Sequence, residues 1–230
     1  MEQPAVSASA GAEPEKRDAA TAILDAAEAI FADRGFDGAS TRPIADRAGV
    51  NLALIHYYFG NKEKLFNAVF ERRSDAINAR RRSMIADLHA GGSGPTLEAV
   101  LDALLRPTIE LGRDTARGGQ FYARLVVHVA SGTDDRSQRL TAAQYNDIAR
   151  VFIAEIQAAV PGLSKTDAAW AYLNAIAVAL SLMARTGRAA ALSDGECRDD
   201  DVEDVMGRAI AFIAAGTRAL AGRDPHKQPL

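Results

Sequence analysis

The stretch over residues 40–65, STRPIADRAGVNLALIHYYFGNKEKL, restricts this chain more than any other. Gly49 and Gly60 divide it into two short helices. Ser40 and Thr41 are N-cap residues, and Pro43 falls in the first turn, where a missing N–H costs little. Ile44, Ala45 and Ala48 recur at helical spacing and face a core. Gly49 takes the left-handed conformation that ends this helix, and Asn51 caps the next. In that second helix Ile55 and Phe59 point inward together. Leu52, Ala53 and His56 are left on the outer face, with Tyr57 and Tyr58 at its end. Gly60 stops the helix, and Asn61 caps a long one that begins at Lys62. This is the layout of a helix-turn-helix, in which the first helix braces and the second enters a DNA major groove.

The rest of the chain reads all-α. Ala, Leu and Arg are abundant, strand-type alternation is scarce, and Gly and Pro fall between long periodic segments. Residues 1–15 carry almost no large apolar side chains, which predicts a disordered arm. The stripe Ala19, Ile23, Ala26, Ala27, Ile30 and Phe31 predicts a helix over 16–34, closed by Gly35. It completes a three-helix head over residues 16–63. The helix from Lys62 runs to the break Gly91-Gly92-Ser93-Gly94-Pro95 and enters a larger body, residues 64–222. Further helices are predicted there at about 96–111, 119–131, 137–160, 165–186 and 201–220. Pro107 kinks or divides the first of them. Ser164 with Asp167 opens the helix after Pro161-Gly162 as a capping box. An acidic loop over 192–200 holds Cys197, and residues 223–230 form a flexible tail.

The net charge of −3 does not mark the whole protein as a polyanion binder. Between Gly38 and Arg82, however, nine Lys or Arg face four Asp or Glu, the pattern of a small basic head on a neutral body. The run Arg80-Arg81-Arg82 lies well after the helix-turn-helix and reads as a solvated helix face. No apolar run reaches the roughly 18 residues of a membrane span, so no membrane partner is expected. The single cysteine excludes an internal disulfide and fits a reducing cytoplasm. His56, His89, His128 and His226 lack metal-ligand spacing, and no metal or other cofactor is expected. Cys197 sits among acids that disfavour a thiolate. No Walker loop, dinucleotide fingerprint or nucleophile elbow is present, so nothing points to an enzyme.

Thr41, Ile44-Ala45, Ala48-Gly49-Val50-Asn51, Ile55-His56-Tyr57-Tyr58-Phe59-Gly60-Asn61-Lys62-Glu63 and Leu65 together resemble the DNA-binding domain of the TetR family of bacterial transcriptional repressors. The resemblance is strong over residues 20–65. Beyond them only the helical plan and the length agree. It implies a cytoplasmic homodimer that binds a pseudo-palindromic operator in double-stranded DNA and is released by a small-molecule effector. The alternatives are an activator of the same fold and a helical small-molecule-binding protein or enzyme without DNA binding. Carried over by position, Thr41, Tyr57, Tyr58 and Lys62 contact phosphates, and Leu52, Ala53 and His56 read base edges. Arg42 is a further candidate for phosphate or base, and Lys16 or Arg17 for phosphate. Two positions depart from the family's pattern: Leu52, often polar, and His56, often Tyr. Thymine methyls and DNA shape therefore carry more of the readout.

In the family the last two helices pair across a two-fold axis. Trp170, Leu173 and Ala177 on one, with Val205, Ala209, Phe212 and Gly216 on the other, are the expected dimer interface. The alternative is that both stripes face the subunit's own core. The expected effector pocket takes Phe121, Tyr122, Arg124, His128, Tyr145, Phe152 and Asn174, with Arg124 on an anionic ligand head and His128 and Asn174 orienting the rest. The alternative there is ordinary core. An apolar or amphipathic effector fits better than a sugar or a metal.

Overall fold

A computed structural model describes residues 12–92, 94–198 and 200–221, with side chains from residue 18 onward. Among the described residues every regular element is helical. The order is α1 (Ala12–Gly38), α2 (Thr41–Ala48), α3 (Leu52–Phe59), α4 (Lys62–Ala90), α5 (Leu97–Arg113), a 3-10 turn (Thr115–Arg117), α6 (Gly119–Ala130), α7 (Asp135–Ala159), α8 (Lys165–Met183), α9 (Arg188–Leu192) and α10 (Val202–Ala221). The chain divides into a head, Met1–Phe70, and a body, Glu71–Leu230, with the boundary inside α4.

In the head, Ile23, Ala27 and Phe31 of α1, Ile44 of α2, Ile55 of α3 and Leu65, Phe66 and Val69 of α4 are all buried. Phe66 packs edge-on against both Phe31 and Phe36, with ring centroids at 4.9 and 5.1 Å. Such T-shaped pairs match ring edge to ring face and fix the angle between helices. Gly35 breaks α1 as expected, with φ 67 and ψ 179, and the last turn before Gly38 takes a new direction. The helix starts earlier than its sequence suggests, at Ala12 instead of Lys16. The rest of the expected arm, the side chains of Lys16 and Arg17 and the tail beyond residue 221 lie outside the described residues.

The body's core centres on α5, whose Leu97, Val100, Leu101, Leu104 and Leu105 are all buried. Ile148, Phe152 and Ile156 of α7 cover one side, and Met206, Ala209 and Ile213 of α10 another. The inward face of α8 is Ala168, Ala171, Ala175 and Ala179, small enough to let neighbouring backbones come close. Gly112 does the same for α5: a Cβ there would stand 2.4 Å from Cγ of Met183. Four body helices open on side-chain caps. Thr96 accepts from the amide of Ala99, Asp134 from Ser137, Ser164 from Asp167, and Asp201 from Glu203 and Asp204. At Ser164 only half of the expected capping box forms, since the Asp167 carboxylate accepts from the Ser164 hydroxyl and not from its amide.

Several expectations are corrected in the body. Pro107 lies inside α5 without dividing it. The 3-10 turn and α9 have no counterpart in the sequence reading, because pieces of three and five residues carry too few turns to show a period. At 19 residues α8 is long and apolar enough to cross a membrane by length and composition, against the expectation of no such segment. A third of its apolar window is buried inside the protein. Of the Arg80-Arg81-Arg82 run, Arg81 is buried, Arg80 pairs with Glu110, and only Arg82 is without a partner among the described residues.

Candidate DNA-reading face and effector-binding core

The turn between α2 and α3 is built as its sequence dictates. Gly49 adopts φ 67 and ψ 29, and the amide of Val50 reaches back to the carbonyl of Ala45 at 3.1 Å. Ser40 has the extended backbone of an N-cap but makes no side-chain cap bond. Asn51 does: its Oδ1 accepts from the amide of Ala53 at 2.9 Å. Gly60 ends α3 with φ 76, and Asn61 Oδ1 accepts from the amide of Lys64 to start α4. Both ends of α3 are thereby fixed.

Ile55 is fully buried and is the anchor of α3. Leu52, Ala53, His56 and Tyr57 are exposed, and Tyr57 is 70% so. Tyr58 is half-buried beside Tyr57, with centroids 5.1 Å apart, and belongs partly to the head's packing. Thr41 is half-buried at the start of α2, and Arg42 beside it is exposed. The Nδ1 atom of His56 lies 2.9 Å from the carbonyl of Gly60. A carbonyl only accepts, so Nδ1 carries the hydrogen and neutral His56 turns a bare Nε2 outward.

Lys62 departs from its expected role. Its ammonium donates to the carbonyls of Phe36 at 2.9 Å and Ala39 at 3.0 Å, and stands 4.4 Å from the centroid of the Phe36 ring. These carbonyls follow the break in α1, where a helix leaves acceptors unpaired and the dipole favours a cation. Lys62 is therefore a clasp within the head. A phosphate would have to compete with two carbonyls and an aromatic face.

The expected effector residues divide in two. Tyr122 and Phe152 are fully buried, and the hydroxyls of Tyr122 and Tyr145 share a hydrogen bond. Arg124, His128 and Asn174 are exposed and do not converge with them. The period of α6 explains this: Tyr122, Leu125, Val126 and Val129 point inward, so Phe121, Arg124 and His128, spaced i, i+3 and i+7, point out. Arg124 lies over the Phe121 ring, 5.5 Å from its centroid. It also lines a cleft of about 410 Å³ with Gln120, Met183 and Arg185.

The expected dimer stripe divides likewise. Trp170 (58% exposed), Leu173, Asn174 and Ala177 share one outward face of α8, and Phe212 (75% exposed) and Gly216 share one of α10. Val205 and Ala209 are buried in the protomer's own core and do not belong to that surface, because steps of four residues carry them onward to Ile213 and Thr217 on the inward side.

Sequence comparison agrees with the geometry at both ends of the chain. Residues 23–69 match the family described as "Bacterial regulatory proteins, tetR family", and residues 102–216 match "Tetracyclin repressor-like, C-terminal domain". The chain belongs to the TetR family. Among curated TetR-family relatives it is 30% identical to the HTH-type transcriptional repressor KstR2 of Rhodococcus jostii over 90 residues, 39% of this chain and 41% of that protein. The match thus spans less than half of the relative's length. Among solved structures, a TetR-family regulator from a Rhodococcus species covers 86% of this chain and 98% of its own at a TM-score of 0.56 and 23% identity. FadR of Bacillus subtilis, in complex with stearoyl-CoA, covers 85% and 97% at a TM-score of 0.60 and 15% identity. At such identities these structures establish the shared TetR fold.

Proposed function

We propose that this protein is a homodimeric, cytoplasmic transcriptional regulator that binds a two-fold symmetric operator and releases it when a small molecule enters the body. The observation that carries the reading is α3: Ile55 is locked in the core while Leu52, Ala53, His56 and Tyr57 are presented to solvent between two glycine turns. A dimer is required because one helix of eight residues spans too few base pairs for a specific site. The exposed Trp170, Leu173 and Phe212 supply an apolar surface for it. Repression is the favoured sign, as in KstR2. The effector is apolar or amphipathic, consistent with a core of Leu, Ile, Phe and Tyr, and the same fold in FadR accompanies stearoyl-CoA. No catalytic step enters this reading.

Selection of bound duplexes from a random pool, followed by titration of the winners against salt, tests it. The expected result is a symmetric consensus with half-sites about one helical turn apart. Absence of any enriched sequence would sink the proposal.

A further inference from the structure

Arg81 of α4 is 2% exposed, inside the body's core. Its Nε donates to the carbonyl of Leu104 at 2.9 Å, Nη2 to Oγ1 of Thr108 at 2.9 Å, and Nη1 to Oδ1 of Asn78 at a long 3.4 Å. All three acceptors are neutral. No described carboxylate stands within ion-pair distance, and the only ionisable groups that interact with it are Tyr122, Tyr145 and Tyr172. Burial pushes the phenols of Tyr145 and Tyr172 above their usual range, so neither supplies a counter-charge. The same burial lowers the pKa of Arg81, a sign of how poorly its charge is compensated.

Burying a lone guanidinium costs several kcal/mol, and an anion placed against it recovers much of that cost. Arg81 has five N–H groups, of which three are engaged. The hydroxyl of Tyr172 makes no hydrogen bond with the described residues. Unused donors on an uncompensated cation, bonded to Leu104 of the apolar core that also holds Tyr172, are what a carboxylate on an apolar body requires.

We propose that Arg81, with Tyr172 and the Tyr122–Tyr145 pair, binds the anionic end of the effector, and that the effector is a monocarboxylate with an apolar body. This rests on the reading of the body as an effector domain. Arg81 is closed off from solvent, so the anion reaches it only when the helices around it part. The bonds that tie α4 to α5 are then exchanged for bonds to the ligand. Binding therefore acts directly on α4, the helix that also supplies residues 62–70 of the head.

The test is calorimetry and thermal unfolding of the full chain with octanoate, 4-phenylbutyrate and indole-3-propionate, each beside its primary amide. At least one acid should bind about tenfold or more tightly than its amide, the difference that one charge-assisted hydrogen bond makes. Arg81→Met, which keeps the volume and removes the charge, should erase the preference for the acid. Tyr172→Phe removes only an unpartnered hydroxyl, should fold normally, and should weaken the acid severalfold. Acids and amides binding alike, none of the acids binding, an unchanged preference in Arg81→Met, or an unchanged acid affinity in Tyr172→Phe would overturn the proposal. No DNA is present in this assay. A chain that binds acids but no duplex keeps this inference and loses the proposed function, and the reverse outcome separates them equally.

Discussion

The side chain of Arg81 donates to the carbonyl of Leu104, three residues before Pro107 in the middle of α5. A proline has no N–H, and its ring crowds the preceding turn, so a helix usually bends or ends there. Here α4 supplies a donor to the disturbed turn, and a second bond to Thr108 holds the far side of the proline. The helix continues through to Arg113. Thr108→Val keeps the shape and removes one acceptor from a buried guanidinium. Urea denaturation should show a loss of about 1–2 kcal/mol, and a loss within error would mean that this bond does not support α5.

Lys62 should behave as a structural residue. Lys62→Ala removes two charge-assisted hydrogen bonds at the end of α1 and should lower the unfolding free energy by about 2 kcal/mol. The slope of log affinity against log salt should stay the same, because no phosphate contact is lost. Lys64→Ala and Arg42→Ala, which alter exposed cations whose side chains make no hydrogen bond or ion pair with the described residues, should instead flatten that slope for a residue that meets phosphate. A flattened slope in Lys62→Ala with unchanged stability would reverse the assignment.

His56 should read a base that offers a donor. With Nδ1 bonded to Gly60, neutral His56 presents Nε2 as an acceptor, which matches N4 of cytosine or N6 of adenine in the major groove. Duplexes selected at pH 8 should carry cytosine or adenine at the contacted position. His56→Ala should lose that preference, with a cost of about 1–2 kcal/mol on the best site. Guanine at that position would contradict the tautomer.

The two outward faces of α8 and α10 should separate from their buried neighbours by mutation. Phe212→Arg and Trp170→Arg place charge where the dimer is expected and should raise the dimer dissociation constant about a hundredfold, as loss of a central aromatic anchor does. Sedimentation equilibrium measures this, with helicity unchanged. Val205→Arg, a buried position, should unfold the protomer instead. A fully dimeric Phe212→Arg protein would move the interface elsewhere.

The head was legible because its signals are local. Gly49, Asn51, Gly60 and Asn61 each set the backbone within a residue or two, and each does in the structure what its type predicts. Lys62 and Arg81 were not legible, since a count of cations cannot distinguish one that meets solvent from one that meets a carbonyl 23 residues away in sequence. The face of α6 is hidden for a different reason. Its aromatic and charged residues suggest a shared pocket by their chemistry, but the 3.6-residue period that sends Tyr122 inward sends Arg124 and His128 out. In α10 apolar residues occupy both sides, so Val205 and Ala209 merged with Phe212 and Gly216 until burial divided them.

The inward turn of Lys62 reaches beyond the stability of the head. Random chromosome is a vast sink for any regulator, and the depth of that sink grows with every cation turned toward the phosphates. In the proposed DNA-binding role, closing Lys62 on its own backbone and beginning α3 with Leu52 would weaken the head's hold on indifferent duplex. A larger share of its copies would then stay free to find the proposed operator or effector, so that a small population could keep a promoter occupied and still respond quickly.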